Sequence, residues 1–440
     1  MATESRERAP APPAVRRRRA AVAGLLREPE TIRAASMAVA TMVANLVAVA
    51  FTIVFTRLLG TDGYGSLAAL LNLSVILYVP GSALQVAAAR QGALGRLGDA
   101  HRQAAVLRRW TRTLLLALVA VAAISILLRA PLAALLNVDE EWAAAFVPVT
   151  GGIWLLVSLQ RGVLQGARAY GAVGSSIVLE AVGRLAAGAV LAGAGLAVTG
   201  AYLGTPAALA LTACVLAVAA GRRLGAPAAE PPTGEPDTRL GDLARRAAVP
   251  IAGLTLLAAL QNVDVILARH VLSHHDAGVY AAATVAAKAL VWIAIGLGVW
   301  LLPEAVSRVA RREDPRPVLG RALALIAAVA IPALALYAAI PALVLRTAFG
   351  SDYVDGQGIL LALGVAYALL AVSYLCVQYR LGLHEKRFLW VLAVAAVAEP
   401  VALTAATGLG GFAAIVLAVQ ALAAVSLLVP ALRGSRARPG

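Results

Sequence analysis

The sequence predicts an all-α fold: a polytopic membrane protein of about 12 transmembrane helices in two six-helix lobes. Three observations lead there. Of its 440 residues, 61% are hydrophobic and only 14% charged, well outside the range of a water-soluble domain. Apolar stretches of about 20 residues, enough to cross a bilayer as a helix, recur along the chain, without the ten-residue alternation of a membrane barrel. The two halves of the chain also repeat one another.

Hydropathy and the charged breaks place spans near 34–56, 66–89, 113–136, 142–160, 174–197 and 200–220, then near 247–268, 277–302, 320–345, 357–379, 388–406 and 411–432. This divides the chain into a basic, disordered cytoplasmic tail (1–30), a first lobe (31–223), a cytoplasmic linker (224–246), a second lobe (247–432) and a short tail (433–440). Residues 1–30 carry Arg16 to Arg19 and several prolines without a long apolar core, so they read as a tail and not as a cleavable signal peptide.

The net charge of +15 raises nucleic acid as a partner, but its distribution is topological. Of the 38 basic residues, 32 fall in the tails and the even-numbered loops, against Arg57, Arg129, Arg269 and Arg346 on the opposite side. Lys and Arg are retained on the cytoplasmic face of short loops, so both termini are expected in the cytoplasm of a cell (cytoplasmic) membrane and no nucleic-acid partner is expected. Trp110, Trp142, Trp300 and Trp390 fall near span ends and read as headgroup anchors. The stretch Arg90 to Arg112 reads as a surface amphipathic helix or as a solvated loop. Cys214 and Cys376 lie within spans, where they form no disulfide framework and read as packing residues.

The repeat is clearest at the first odd-numbered turn of each half. Arg57-Leu-Leu-Gly-Thr-Asp-Gly-Tyr-Gly65 parallels His270-Val-Leu-Ser-His-His-Asp-Ala-Gly278 at a constant offset of 213 residues. Each copy ends a span, turns through polar residues and glycine, and re-enters as an Ala-rich helix. Six spans being an even number, the copies share one orientation, and their pseudo-axis runs along the membrane normal.

Phe55-Thr-Arg-Leu-Leu-Gly60 and Tyr64-Gly65 after the first span, Ala87-Ala-Ala-Arg90 after the second, and the echo Asp276-Ala-Gly-Val-Tyr280 carry a resemblance. On these the chain resembles the polysaccharide transporters, or oligosaccharide flippases, of the multidrug/oligosaccharidyl-lipid/polysaccharide exporter superfamily, over most of residues 30–432. The second half departs from the pattern, with His-Val-Leu-Ser in place of Arg-Leu-Leu-Gly. The resemblance implies a central cavity lined by the first, second, seventh and eighth helices, alternating access, and a polyprenyl-diphosphate-linked glycan as cargo. Membrane lipids and glycan-assembly enzymes are the other partners it brings.

Ionisable residues at membrane depth are costly and mark candidate sites. Lys288 lies about eleven residues into its span, roughly 16 Å deep, where it could meet a diphosphate or pair with Asp264. With Arg57, Arg269, Asn262 and Gln261 it forms the candidate substrate-binding set. Asn262 and Arg269 share one helical stripe and Asp264 points elsewhere; Arg57 and Arg269 also read as snorkelling anchors. Asp264, Glu399, Glu180 and Arg184 are candidates for ion coupling or structural pairing. Glu180 and Arg184 stand at i and i+4, the favourable order for a helix pair, and Glu399, next to Pro400, suits a proton carrier or a carboxyl bonded to a freed backbone carbonyl. The five histidines lack the spacing of a zinc helix, and no phosphate loop or nucleophile elbow occurs, so neither cofactor nor catalytic residue is expected. A lipid-linked glycan transporter leads, followed by a cation-coupled multidrug exporter of the same superfamily. A membrane glycan polymerase or ligase comes last, because the odd-numbered loops are too short for a catalytic domain.

Overall fold

The computed structural model describes residues 29–225 and 239–433, so the two tails and the middle of the linker lie outside the described residues apart from Pro29, Glu30 and Arg433. The helices are α1 (Pro29–Ala93), α2 (Ala100–Leu127), α3 (Arg129–Leu136), α4 (Glu141–Gly166), α5 (Tyr170–Leu191), α6 (Ala197–Leu224) and α7 (Leu240–Arg246). They continue with α8 (Ala248–Val271), α9 (His274–Ala310), α10 (Arg316–Ala339), α11 (Pro341–Ala348), α12 (Gln357–Gly382), α13 (Phe388–Leu403) and α14 (Gly408–Arg433).

Among the described residues nine helical segments are long and apolar enough to cross a membrane. Two of them, Val39–Ala93 and Tyr170–Leu224, are 55 residues long, about twice a single crossing. Each is broken by a glycine at positive φ, Gly60 (69°) and Gly195 (95°). Dividing both and adding the shorter apolar helix Phe388–Leu403 recovers the twelve crossings read from the sequence. The chain is a multi-pass membrane protein, and side chains such as Leu127, Val190 and Leu422 are exposed where lipid would lie.

Packing follows the repeat. In the first lobe α1 packs on α4 and α5, α4 on α2 and α6, and α5 on α6; in the second α9 packs on α12, α8 on α13, α12 on α10 and α14, and α13 on α14. Even the short α3 and α11 correspond, each following a break at the same end of its lobe. They correct two expected spans: 113–136 and 320–345 are not single helices, because the chain breaks at Leu128 and at Ile340 before Pro341. Between lobes the main contacts are α1 with α8 and α9.

The two ends of the molecule differ. At the end bearing the Gly60 and Ser273 turns, called here the hairpin end, one continuous core joins both lobes, with Phe55, Leu67 and Ala69 packed in the same cluster as Tyr280, Ala281 and Leu345. Toward the opposite, basic end a second core forms around Leu84, Trp110, Leu159 and Leu216 of the first lobe, reached from the second half of the chain by Leu243 and Ala247. The lobes therefore join chiefly at the hairpin end. Trp110 corrects its assignment as an anchor: it is 2% exposed, because α2 begins at Ala100, capped by Asp99, and carries it inward. Trp142, Trp300 and Trp390 are exposed, as anchors should be. The stretch Arg90 to Arg112 forms a short turn and the start of α2, with no separate surface helix.

Candidate functional site

At the hairpin end the two repeat turns meet face to face. Gly60 turns the first by its positive φ, while its counterpart Ser273 caps α9, accepting from Asp276 N at 3.1 Å. Five residues beyond each lie Gly65 and Gly278. A Cβ built on Gly278 would fall 1.9 Å from the Thr61 carbonyl oxygen, so only glycine allows the lobes this close. Around this contact Arg269, 2% exposed, donates to Asp62 Oδ1 at 2.6 Å, and His274 lies 3.2 Å from the same oxygen. Arg269 and Asn137 exchange hydrogen bonds, Asn137 Nδ2 to the Arg269 carbonyl and Arg269 Nε to the Asn137 carbonyl. His275 bridges Thr61 and Asp355 at 3.1 and 3.3 Å, and Tyr353 donates to the carbonyls of Thr56 and Gly60.

One layer deeper, Lys288 on α9 is 6% exposed. Its Nζ donates to Asn72 Oδ1 of the first lobe at 2.6 Å and to Asn262 Oδ1 of α8 at 3.0 Å, and lies 5.8 Å from the Tyr367 ring centroid. The expected hydrogen-bonded ion pair of Lys288 with Asp264 is not formed. Two amide oxygens supply the compensation that a buried ammonium requires.

Asp264 faces the interior of the second lobe, as its position off the Asn262–Arg269 stripe implied. Its Oδ2 accepts from Tyr280 at 2.6 Å and Tyr367 at 2.8 Å, and Tyr367 also donates to the Gln261 carbonyl. From α14, Gln420 Nε2 donates both to Glu399 Oε2 and to the Leu260 carbonyl of α8, each at 3.1 Å. The expected bond from Glu399 to a freed backbone carbonyl is thus replaced by a side-chain amide. Asp264, Glu399 and Gln420 are at most 1% exposed, yet Asp264 Oδ1, Glu399 Oε1 and Gln420 Oε1 have no hydrogen-bond partner. A buried acceptor oxygen without a donor is costly, and a proton or a cation bound beside it would remove that cost. No group of three His, Cys, Asp or Glu suited to a metal occurs among the described residues.

In the first lobe the expected pairing is also corrected. Glu180 accepts from Arg161 at 2.8 Å, across from α4, and not from Arg184 on its own helix; Arg184 lies 4.7 Å over the Phe51 ring. Arg57 is exposed at the end of its helix and takes no part in these networks. Sequence reasoning missed Arg161, which it counted in a loop, and Asn72, Tyr280, Tyr367 and Gln420. The signal for Asn72 and Gln420 was present: uncharged polar residues in mid-span also need partners.

A two-lobed, twelve-crossing bundle with charged groups buried within and between the lobes defines the architecture of secondary transporters. Comparison with solved structures places the fold. The inward-facing conformation of a multidrug resistance MATE family transporter of the MOP superfamily matches with a TM-score of 0.74 at 13% identity, over 87% of this chain and 92% of that one. The outward-facing conformation of a multidrug resistance MATE family transporter of the MOP superfamily matches with a TM-score of 0.60 at 15% identity, over 91% and 95%. A MOP superfamily transporter from Pyrococcus furiosus, described as having a binding pocket of reverse polarity, matches with a TM-score of 0.53 at 16% identity, over 92% and 96%. The chain thus has the MATE transporter fold. No protein-family model matches the sequence, and no curated protein matches it.

Proposed function

We propose that the protein is a cation-coupled exporter of amphiphilic organic molecules, working by alternating access between its two lobes. The observation that carries this reading is the buried set of Asp264, Glu399 and Gln420, whose unpartnered oxygens suit a proton or a sodium ion. The closed hairpin end supports an inward-facing state. The concentration of Lys and Arg at the basic end supports a cytoplasmic position for that end and for both termini.

A second reading, translocation of a polyprenyl-diphosphate-linked glycan beside its assembly enzymes, is favoured by the Phe55–Gly60 and Tyr64–Gly65 motifs and by Arg184, whose Nε is buried without a hydrogen-bond partner among the described residues. Lys288, offered for the diphosphate by the sequence, is already held by two asparagines and supports it less.

Reconstituted protein separates the readings. Under an imposed sodium or proton gradient it should move fluorescent amphiphiles across the vesicle membrane, and collapsing the gradient should stop the movement. Gradient-independent movement of a diphosphate-linked sugar, with no amphiphile transport, would favour the second reading over the first.

A further inference from the structure

The interior of the first lobe holds a positive charge that its own side chains do not compensate. Arg161, 4% exposed, is satisfied, donating to Glu180 Oε2 at 2.8 Å and to Ser176 Oγ at 2.9 Å. Glu180 is thereby committed. Arg184, one turn further along α5, forms no ion pair among the described residues, and its Nε is buried without a hydrogen-bond partner there. The face of Phe51 on α1 lies against its charge, 4.7 Å from ring centroid to Cζ.

Arg184 does not reach this arrangement by facing lipid. The exposed positions of α5, Gly171, Ser175, Val182, Ala186 and Val190, form a single stripe, and at 100° per residue Arg184 lies on the opposite side. It is partly buried, 14 residues beyond Tyr170 and seven before Leu191, about 21 Å and about 10 Å along the helix from its two ends. A guanidinium at such depth calls for a counter-anion, and an aromatic face offsets only part of the cost.

We propose that Arg184 is an anion-binding subsite, taking the phosphate or carboxylate group of an amphiphilic cargo while Phe51 walls the apolar part beside it. The planar fork of Arg suits a two-oxygen anion. Arg161 acts as a positioning residue that holds the Glu180 carboxylate away from Arg184. The subsite rests on the exporter reading and deepens it: the first lobe takes the cargo's anionic group, the second the driving cation.

Binding to the full-length protein in zwitterionic-lipid nanodiscs, measured calorimetrically without any gradient, tests this. Dodecyl phosphate should bind at least about tenfold more tightly than dodecyltrimethylammonium. Arg184→Met should lose that margin, and Arg184→Lys should keep part of it, with unliganded melting temperatures showing that both variants fold. If Arg184→Met does not fold, Arg184→Lys carries the test, since a point charge without the fork should weaken binding severalfold. Wild-type affinity in either variant, or equal binding of the two amphiphiles, overturns the proposal. Displacement of dodecyl phosphate by phosphatidylglycerol would assign the subsite to a lipid headgroup and overturn its role in cargo recognition. Failure of gradient-driven transport with this binding intact would strike the coupling and leave the subsite standing.

Discussion

Lys288 of the second lobe and Asn72 of the first, 216 positions apart, are joined by a 2.6 Å hydrogen bond. It ties the lobes below the layer of Asp62, Arg269 and the histidines, so opening the hairpin end must break it.

Hydrogen bonds to a charged group contribute about 1.5–3 kcal/mol. In a double-mutant cycle on thermal unfolding, Lys288→Met and Asn72→Ala should therefore couple by roughly that amount, while Lys288→Met with Asp264→Asn should couple less. Additive effects of Lys288→Met and Asn72→Ala would remove the tie from the account.

The glycine contact gives a geometric test. Gly278→Ala drives a methyl group into the Thr61 carbonyl, whereas at Gly65 the nearest atom to an added Cβ is 3.2 Å away. Spin labels at Asp139 and Asp352, both exposed at the hairpin end on opposite lobes, should move apart in Gly278→Ala and much less in Gly65→Ala. An unchanged distance in Gly278→Ala would show that this contact does not set the closure.

The two first-lobe arginines should behave differently. Glu180→Ala orphans Arg161, which is 4% exposed, and breaking such a buried pair costs about 3–5 kcal/mol. Replacing Arg161 and Glu180 together by Met should recover most of that stability, whereas Arg184→Met should cost little. Melting curves of the three variants check this; a larger loss for Arg184→Met than for Glu180→Ala would restore the pairing along the helix.

Closure at the hairpin end should strengthen as pH falls. Burial raises the Glu140 carboxyl above its ordinary range, with Asp139 and Asp62 adding to the rise and Arg269 opposing it. A carboxyl raised in the closed state binds its proton more tightly there, so closure is favoured below the ordinary carboxylate range and weakens as pH rises through the raised value. Glu140→Gln should flatten the acid part of the Asp139–Asp352 distance profile, and an unaltered profile would acquit Glu140.

The fold was largely legible because lipid imposes a length and a charge rule that a single sequence displays. The Gly60 turn and its repeat at Ser273 gave the twelve crossings even where one continuous helix hides the turn. The breaks at Leu128 and Ile340 carried local signals, Arg129 with Pro131 and Pro341, but the apolar residues on either side drew the expected spans through them. The candidate site was read by kind more than by partner. Depth identified Lys288, Asp264, Glu399, Glu180 and Arg184 as residues needing compensation, but helical spacing cannot say which helix supplies it. Glu180 found Arg161 across a helix interface, and Lys288 found Asn72 across the lobes. Both partners are separated from their mates by tertiary packing that no local pattern encodes.

The central claim is that Asp264 and Glu399 hold the driving cation, and cation binding to purified full-length protein tests it most directly. Sodium titrated calorimetrically in a weakly ionised buffer, with proton release followed in parallel, should show saturable sodium binding, or displacement of a proton by sodium. Asp264→Asn and Glu399→Gln should each abolish the signal while retaining melting temperatures near that of the wild type. Undiminished cation binding in the double variant Asp264→Asn, Glu399→Gln would contradict the account.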